Sequence, residues 1–248
     1  MDIYPESVTN VEEHKAGPAE VGHTHADVNG GWLRPAVFGA MDGLVTNIAL
    51  VAGVGGAGAS SKIIVLSGIA GLVAGAFSMA LGEYTSVGTQ NNAIDAEAAV
   101  ERAELANNPE AEQAELVQMY RDMGLSQETA ERVADEVHAN PEVALRVHLT
   151  QELGVNPDDQ PSPIVAAVSS FICFAIGAVI PLLPFLFGLA NLWVGLGAGA
   201  VGLFVAGAVV ARFTTRSWWF NGLRQLLFGA VATAATYGVG ILIGVATH

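Results

Sequence analysis

Five stretches of this chain, roughly residues 35–57, 63–87, 163–187, 190–211 and 222–246, are each long and apolar enough to cross a lipid bilayer as a helix. Such a crossing takes about 20 predominantly apolar residues. Inside hydrocarbon, every backbone N–H and C=O has to find its partner within the segment, so runs of this kind fold as helices. The expected fold class is therefore all-α: a polytopic membrane protein with five transmembrane helices. With 248 residues, 52% of them apolar, the chain has room for one modest soluble region besides the spans.

The acidic residues locate that region. Of 24 Asp and Glu, six precede the first apolar stretch and 16 lie between Asp95 and Asp159, which leaves only Asp42 and Glu83 within the spans. A carboxylate deep in hydrocarbon costs on the order of 2.5 kcal/mol or more unless it faces a partner, a cavity or a pathway. Asp42 and Glu83 are thus the first functional candidates. Residues 95–159 oppose their 16 acids with Arg102, Arg121, Arg132 and Arg146 only, a local charge of −12. Together with the overall charge of −14, this disfavours nucleic acid and anionic headgroups and favours cationic ligands.

Basic residues set the expected orientation. Arg34 precedes the first span and Arg212, Arg216 and Arg224 surround the loop before the fifth, whereas Lys62 stands alone on the other side. By the positive-inside rule, the N-terminus and the acidic segment face the cytosol and the C-terminus does not. Four parts are expected: a flexible cytosolic tail (1–31), the first two spans (32–90), a cytosolic acidic helical metal-binding domain (91–160) and the last three spans (161–248). No basic region followed by an apolar stretch opens the chain, so the first span is expected to direct insertion, not a cleaved signal. The expected location is the cell (inner) membrane, or the vacuolar membrane in a eukaryote. Cys173 is the only cysteine, which excludes an intrachain disulfide.

The acidic segment carries clear helix punctuation. Asn108-Pro109 starts a helix ending near Gly124, Ser126 starts the next, and Asn140-Pro141 starts a last one ending near Gly154, while the second span continues to about Ala106. On these helices Glu97, Glu101 and Glu104 are i, i+4 and i+7, Glu112 and Glu115 are i, i+3, and His148 and Glu152 are i, i+4. Like charges at such offsets repel unless a cation neutralises them, and a merely solvated face would intersperse lysines, of which this segment has none. Metal binding is the favoured reading and a plain acidic surface the alternative. Asp135 and His138 resemble half of a di-iron carboxylate–histidine motif, but helices this short, with no second paired motif, argue against a ferritin-like oxidase and against an enzyme in general. His23 and His25 form a pair in a Gly/Ala-containing tail of the kind that is more often inert than metal-binding.

Asp42-Gly43-Leu44-Val45-Thr46 in the first span, Ser78-Met79-Ala80-Leu81-Gly82-Glu83-Tyr84 in the second, and the Glu-rich helices before the third resemble the vacuolar iron transporter (VIT) family from about Trp32 onward. The resemblance implies a five-span protomer that pairs into a homodimer and exports ferrous iron, sometimes manganese, from the cytosol in exchange for protons. It maps the ion path onto Asp42 and Met79 and the cytosolic ligands onto Glu101, Glu104, Glu112, Glu115 and Glu152, with Glu83 linking domain to path. Two departures stand out: His148 and Leu149 occupy positions where some relatives have methionines, and some carry a carboxylate near Gly71. Imidazole can replace a thioether and Leu149 cannot, so the choice among iron, manganese and zinc is open.

The residues themselves support an ion path. By helical rise, Asp42 and Met79 both lie roughly 10 Å below the cytosolic face, and a hard carboxylate beside a soft thioether disfavours magnesium and calcium. Taken alone, Met79 reads as a packing residue. A divalent metal/proton antiporter is the leading expectation, with divalent metal as substrate and no permanently bound cofactor. A membrane-anchored sensor or sequestering protein is the alternative, and it would have no use for Asp42.

Overall fold

The computed structural model describes residues 31–157, 160–213 and 217–246. The tail with His23 and His25, Asp158, Asp159 and Arg216 lie outside the described residues. Nine α-helices occur among the described residues: α1 (Leu33–Gly56), α2 (Ser61–Asn107), α3 (Pro109–Asp122), α4 (Gln127–His138), α5 (Pro141–Glu152), α6 (Pro163–Val179), α7 (Leu183–Leu186), α8 (Leu192–Val210) and α9 (Trp218–Ala246). Five segments among them are long and apolar enough to cross a membrane: Leu33–Gly56, Ser61–Asn107, Pro163–Leu186, Leu192–Val210 and Trp218–Val245.

Helix α1 is the hub and packs against α2, α6, α8 and α9. Its most extensive packing is with α6, and glycine makes that approach possible. A Cβ at Gly39 would collide with the Ser170 carbonyl, one at Gly43 with the Phe174 carbonyl, and one at Gly177 with the Ala40 carbonyl. Lipid supplies no hydrophobic drive between helices, so close backbone contact of this kind is what holds them. Three apolar clusters fill the remaining space: Val51, Ile64, Leu182 and Phe185; Leu44, Ile48 and Leu203; and Ala76, Phe174 and Ala178. The outward faces carry exposed apolar residues such as Leu66, Leu81, Val201 and Leu242, as expected of surfaces in contact with acyl chains.

The third apolar segment changes form at its prolines. α6 stops at Val179, a 3₁₀ turn runs over Ile180–Leu182, and α7 follows, because Pro181 has no N–H to continue the ladder. Asn47, fully buried on α1, donates its Nδ2–H to the Ala178 carbonyl at this transition (2.5 Å).

Helix α2 runs 47 residues without a break, so it carries the Glu-rich segment rigidly on a membrane helix. α3 and α5 fold back on its extension and α4 packs on both of them, around Leu116, Ala130, Ala134, Ala144, Leu145 and Leu149. Ser126 caps α4 by accepting from the Thr129 N–H (3.3 Å), and Asn140 caps α5 by accepting from Glu142 and Val143 (3.1 and 3.4 Å). Asn108 does not cap α3: its side chain turns back and donates to Glu104 (2.6 Å), and Pro109 alone starts the helix.

Candidate metal centre

Three helices bring one ligand group together. Glu101 projects from the extension of α2, Glu112 from the first turn of α3, and His148 and Glu152 from successive turns of α5. One ligand atom from each lies within 4.8 Å of all the others. The Nδ1 of His148 sits 2.9 Å from Glu152 Oε1, 3.3 Å from Glu101 Oε1 and 3.6 Å from Glu112 Oε2. His148 is completely buried, while the three carboxylates are partly exposed, Glu152 the most at 26%.

The electrostatics are those of a site short of positive charge. Burial pushes the Glu101 carboxyl up to about 7, with the neighbouring Glu152, Glu112 and Glu115 adding to the rise and His148 opposing it. Burial likewise raises Glu112, against His148 and in concert with Glu115, Glu152 and Glu104. Buried Glu101 Oε1 accepts no hydrogen bond. Crowded carboxylates with an orphaned acceptor and one imidazole form a donor set suited to a divalent transition ion, harder than a thiolate site and softer than an all-oxygen one.

The sequence-derived ligands separate into a centre and a rim. Glu101, Glu112, Glu152 and His148 converge; Glu104 and Glu115 are exposed beside them and contribute at longer range. Glu97, a turn before Glu101, is exposed and outside the cluster. Leu149 is a core residue. His138 has a different place from the one its spacing to Asp135 suggested. Its Nε2 lies 3.1 Å from His148 Nε2, and Asp135 accepts from Gln113. Burial and the neighbouring His148 hold His138 below the ordinary histidine value, against the opposing pull of Asp135.

The span candidates lie apart from this cluster. Asp42 is half-buried on α1 with Thr46, one turn on, as its side-chain hydrogen-bond partner. Met79 is half-buried on α2, packed against Ala76, Phe174 and Ala178. Glu83 is buried at 7% exposure, its Oε2 lying 3.7 Å from the Arg34 guanidinium and accepting no hydrogen bond. Sequence reasoning used Arg34 only for topology and did not pair it with Glu83. It also overlooked Asn47, whose Oδ1 is buried without a hydrogen-bond partner, the nearest polar atom to the space over Gly71. The available signal was an amide inside an apolar span. Beyond Asp42, α1 and α9 enclose an apolar groove of about 480 Å³ lined by Leu50, Gly53, Thr236 and Gly240 among others.

Comparison with known proteins points to one family. The VIT family matches the chain over residues 33–241. A vacuolar iron transporter of Acanthamoeba castellanii is 37% identical over 231 residues, covering 91% of this chain and 84% of that protein. Vacuolar iron transporter 1 of Oryza sativa subsp. japonica is 30% identical over 223 residues, 88% of each chain, and that of Arabidopsis thaliana is 29% identical over 241 residues, covering 96% and 93%. With five membrane-length helices, a Glu/His cluster formed between the extension of the second and the short helices packed on it, and a family match spanning nearly all of the described residues, the chain belongs to the VIT family.

Proposed function

We propose that this protein moves divalent metal ions, Fe²⁺ and also Mn²⁺, out of the cytosol in exchange for protons. The observation that carries the reading is the convergence of Glu112 of α3 and His148 and Glu152 of α5 with Glu101 of α2, a helix that is at once part of the metal centre and a membrane-length helix bearing Met79 and Glu83. The centre captures metal at low concentration, and its rim of Glu104 and Glu115, with Glu97 further out, attracts cations over a longer range. Asp42 and Met79 receive the ion within the membrane, and Glu83 with Arg34 stands where α2 leaves the soluble helices.

Asp42 supplies the coupling. A carboxylate that holds either a metal ion or a proton releases its metal into an acidic compartment by the same protonation that returns it to the inward state. The groove beside α1 exposes almost no polar surface in a single chain, the Thr236 hydroxyl being turned to the Ala232 carbonyl, so the reading includes a homodimer whose two-fold axis completes the path. Relatives named as vacuolar iron transporters support iron as cargo.

The test is pH-driven flux into proteoliposomes. Asp42→Asn removes the titrating charge and keeps the shape, so transport of Fe²⁺ and Mn²⁺ should stop while metal binding by the soluble helices stays intact. Robust proton-driven flux through that variant would refute the coupling. Metal binding without flux in the unaltered protein would instead favour a sensor or sequestering role.

A further inference from the structure

A cation held by Nδ1 of His148 needs that nitrogen to present a lone pair, so the proton of the neutral ring must sit on Nε2. His148 is completely buried, and a buried N–H must find an acceptor in the protein. The partner at Nε2 is the Nε2 of His138, 3.1 Å away. The two rings meet edge-on, 68° apart in plane with centroids at 5.3 Å, an arrangement unlike face-to-face stacking.

We infer that His138 is a positioning residue of the metal centre: without a cation the Glu152 carboxylate accepts from His148 Nδ1–H (2.9 Å), and when a cation takes that nitrogen His138 accepts the Nε2–H of His148, holding the tautomer and ring orientation in which Nδ1 faces the three carboxylates. His138 ends α4 and His148 lies two turns into α5, so their register is set by the short link through Ala139 and Asn140, whose side chain caps α5. To accept, His138 carries its own proton on Nδ1. The fold thus orders two imidazoles in series behind a ligand set of which only His148 reaches the carboxylates. The inference rests on the reading of Glu101, Glu112, His148 and Glu152 as a metal centre.

Groups that orient a metal-binding histidine typically change affinity by roughly 10–100-fold when removed. The experiment uses the purified full-length protein in nanodiscs, with Mn²⁺ binding measured by calorimetry and histidine-labelled protein loaded with diamagnetic Zn²⁺ for heteronuclear NMR. His138→Phe should weaken Mn²⁺ binding by roughly 10–100-fold. His138→Gln, whose amide oxygen can accept the same proton, should recover most of the loss. In the Zn²⁺-loaded protein, His148 should carry its proton on Nε2 with Nδ1 bound to metal.

Equal affinities for His138→Phe and the unaltered protein would overturn the inference. So would equal losses in the Phe and Gln variants with unchanged helix content, or an NMR signature of metal on Nε2. If the unaltered protein itself binds no Mn²⁺ beyond a Glu112→Gln control, the metal-centre reading falls and this inference with it.

Discussion

Replacing Glu101 by glutamine removes one charge from the middle of the cluster while nearly preserving its volume. In the metal-free protein the Glu101 carboxyl stands at about 7 in place of an ordinary 4.5. That difference corresponds to roughly 3 kcal/mol in favour of the protonated form, at about 1.4 kcal/mol per tenfold. The side chain is 13% exposed and opens toward solvent, so screening reduces the part felt by folding to about 1–2 kcal/mol. The sign follows from proton linkage: the folded state holds this proton more tightly than the unfolded chain. The stabilisation is therefore fully present below 4.5 and is lost as pH rises through about 7. Glutamine keeps the group neutral throughout. At pH 8 the metal-free variant should hold α3–α5 more firmly than the unaltered protein, with local opening suppressed by a factor of about 5–30 for 1–2 kcal/mol. At pH 5, just above the ordinary 4.5, most of that difference should be gone, while metal affinity at pH 8 should fall by about tenfold or more through loss of a ligand. Hydrogen–deuterium exchange across residues 109–152, with each variant compared with the unaltered protein at the same pH, reads the difference. A ratio that is the same at pH 5 and pH 8 would refute the argument, because a volume or hydrogen-bond effect would not track this titration.

Three further outcomes are expected. Met79→Leu keeps volume and apolar packing but removes the soft donor, so Fe²⁺ flux should fall more than Mn²⁺ flux in the same vesicles. Gly43→Val forces a side chain into the Phe174 carbonyl and should separate α1 from α6, seen as loss of folded protein in detergent, whereas Gly197→Ala, with nothing near its added methyl, should leave yield and melting unchanged. Asn47→Leu strips the Ala178 carbonyl of its side-chain donor and should cost about 1–3 kcal/mol, measured as reduced resistance to unfolding, with calorimetric metal binding at the Glu/His cluster unaffected.

Much of this protein was determined by order along the chain. The five membrane-length helices follow from uninterrupted apolar runs, because hydrocarbon leaves a backbone no other way to satisfy its polar groups. The breaks between α2, α3, α4 and α5 follow from Pro109, Ser126 and Asn140-Pro141, local signals that act on their own helices. The ligand types were also legible, since carboxylates and a histidine at one-turn spacing already share a helix face. Which of them meet was not. Glu101 and Glu104 both lie on the α2 extension, one turn apart, yet only Glu101 reaches His148, because the docking of α3 and α5 against α2 selects one turn and leaves the other to solvent. The same docking joins His138 to His148 and not to Asp135, and in the membrane α1 brings Arg34 to Glu83 and Asn47 to Ala178. These contacts join residues distant in sequence through the angles at which helices cross. Helical periodicity fixes the face a side chain occupies, but only packing decides what stands opposite it.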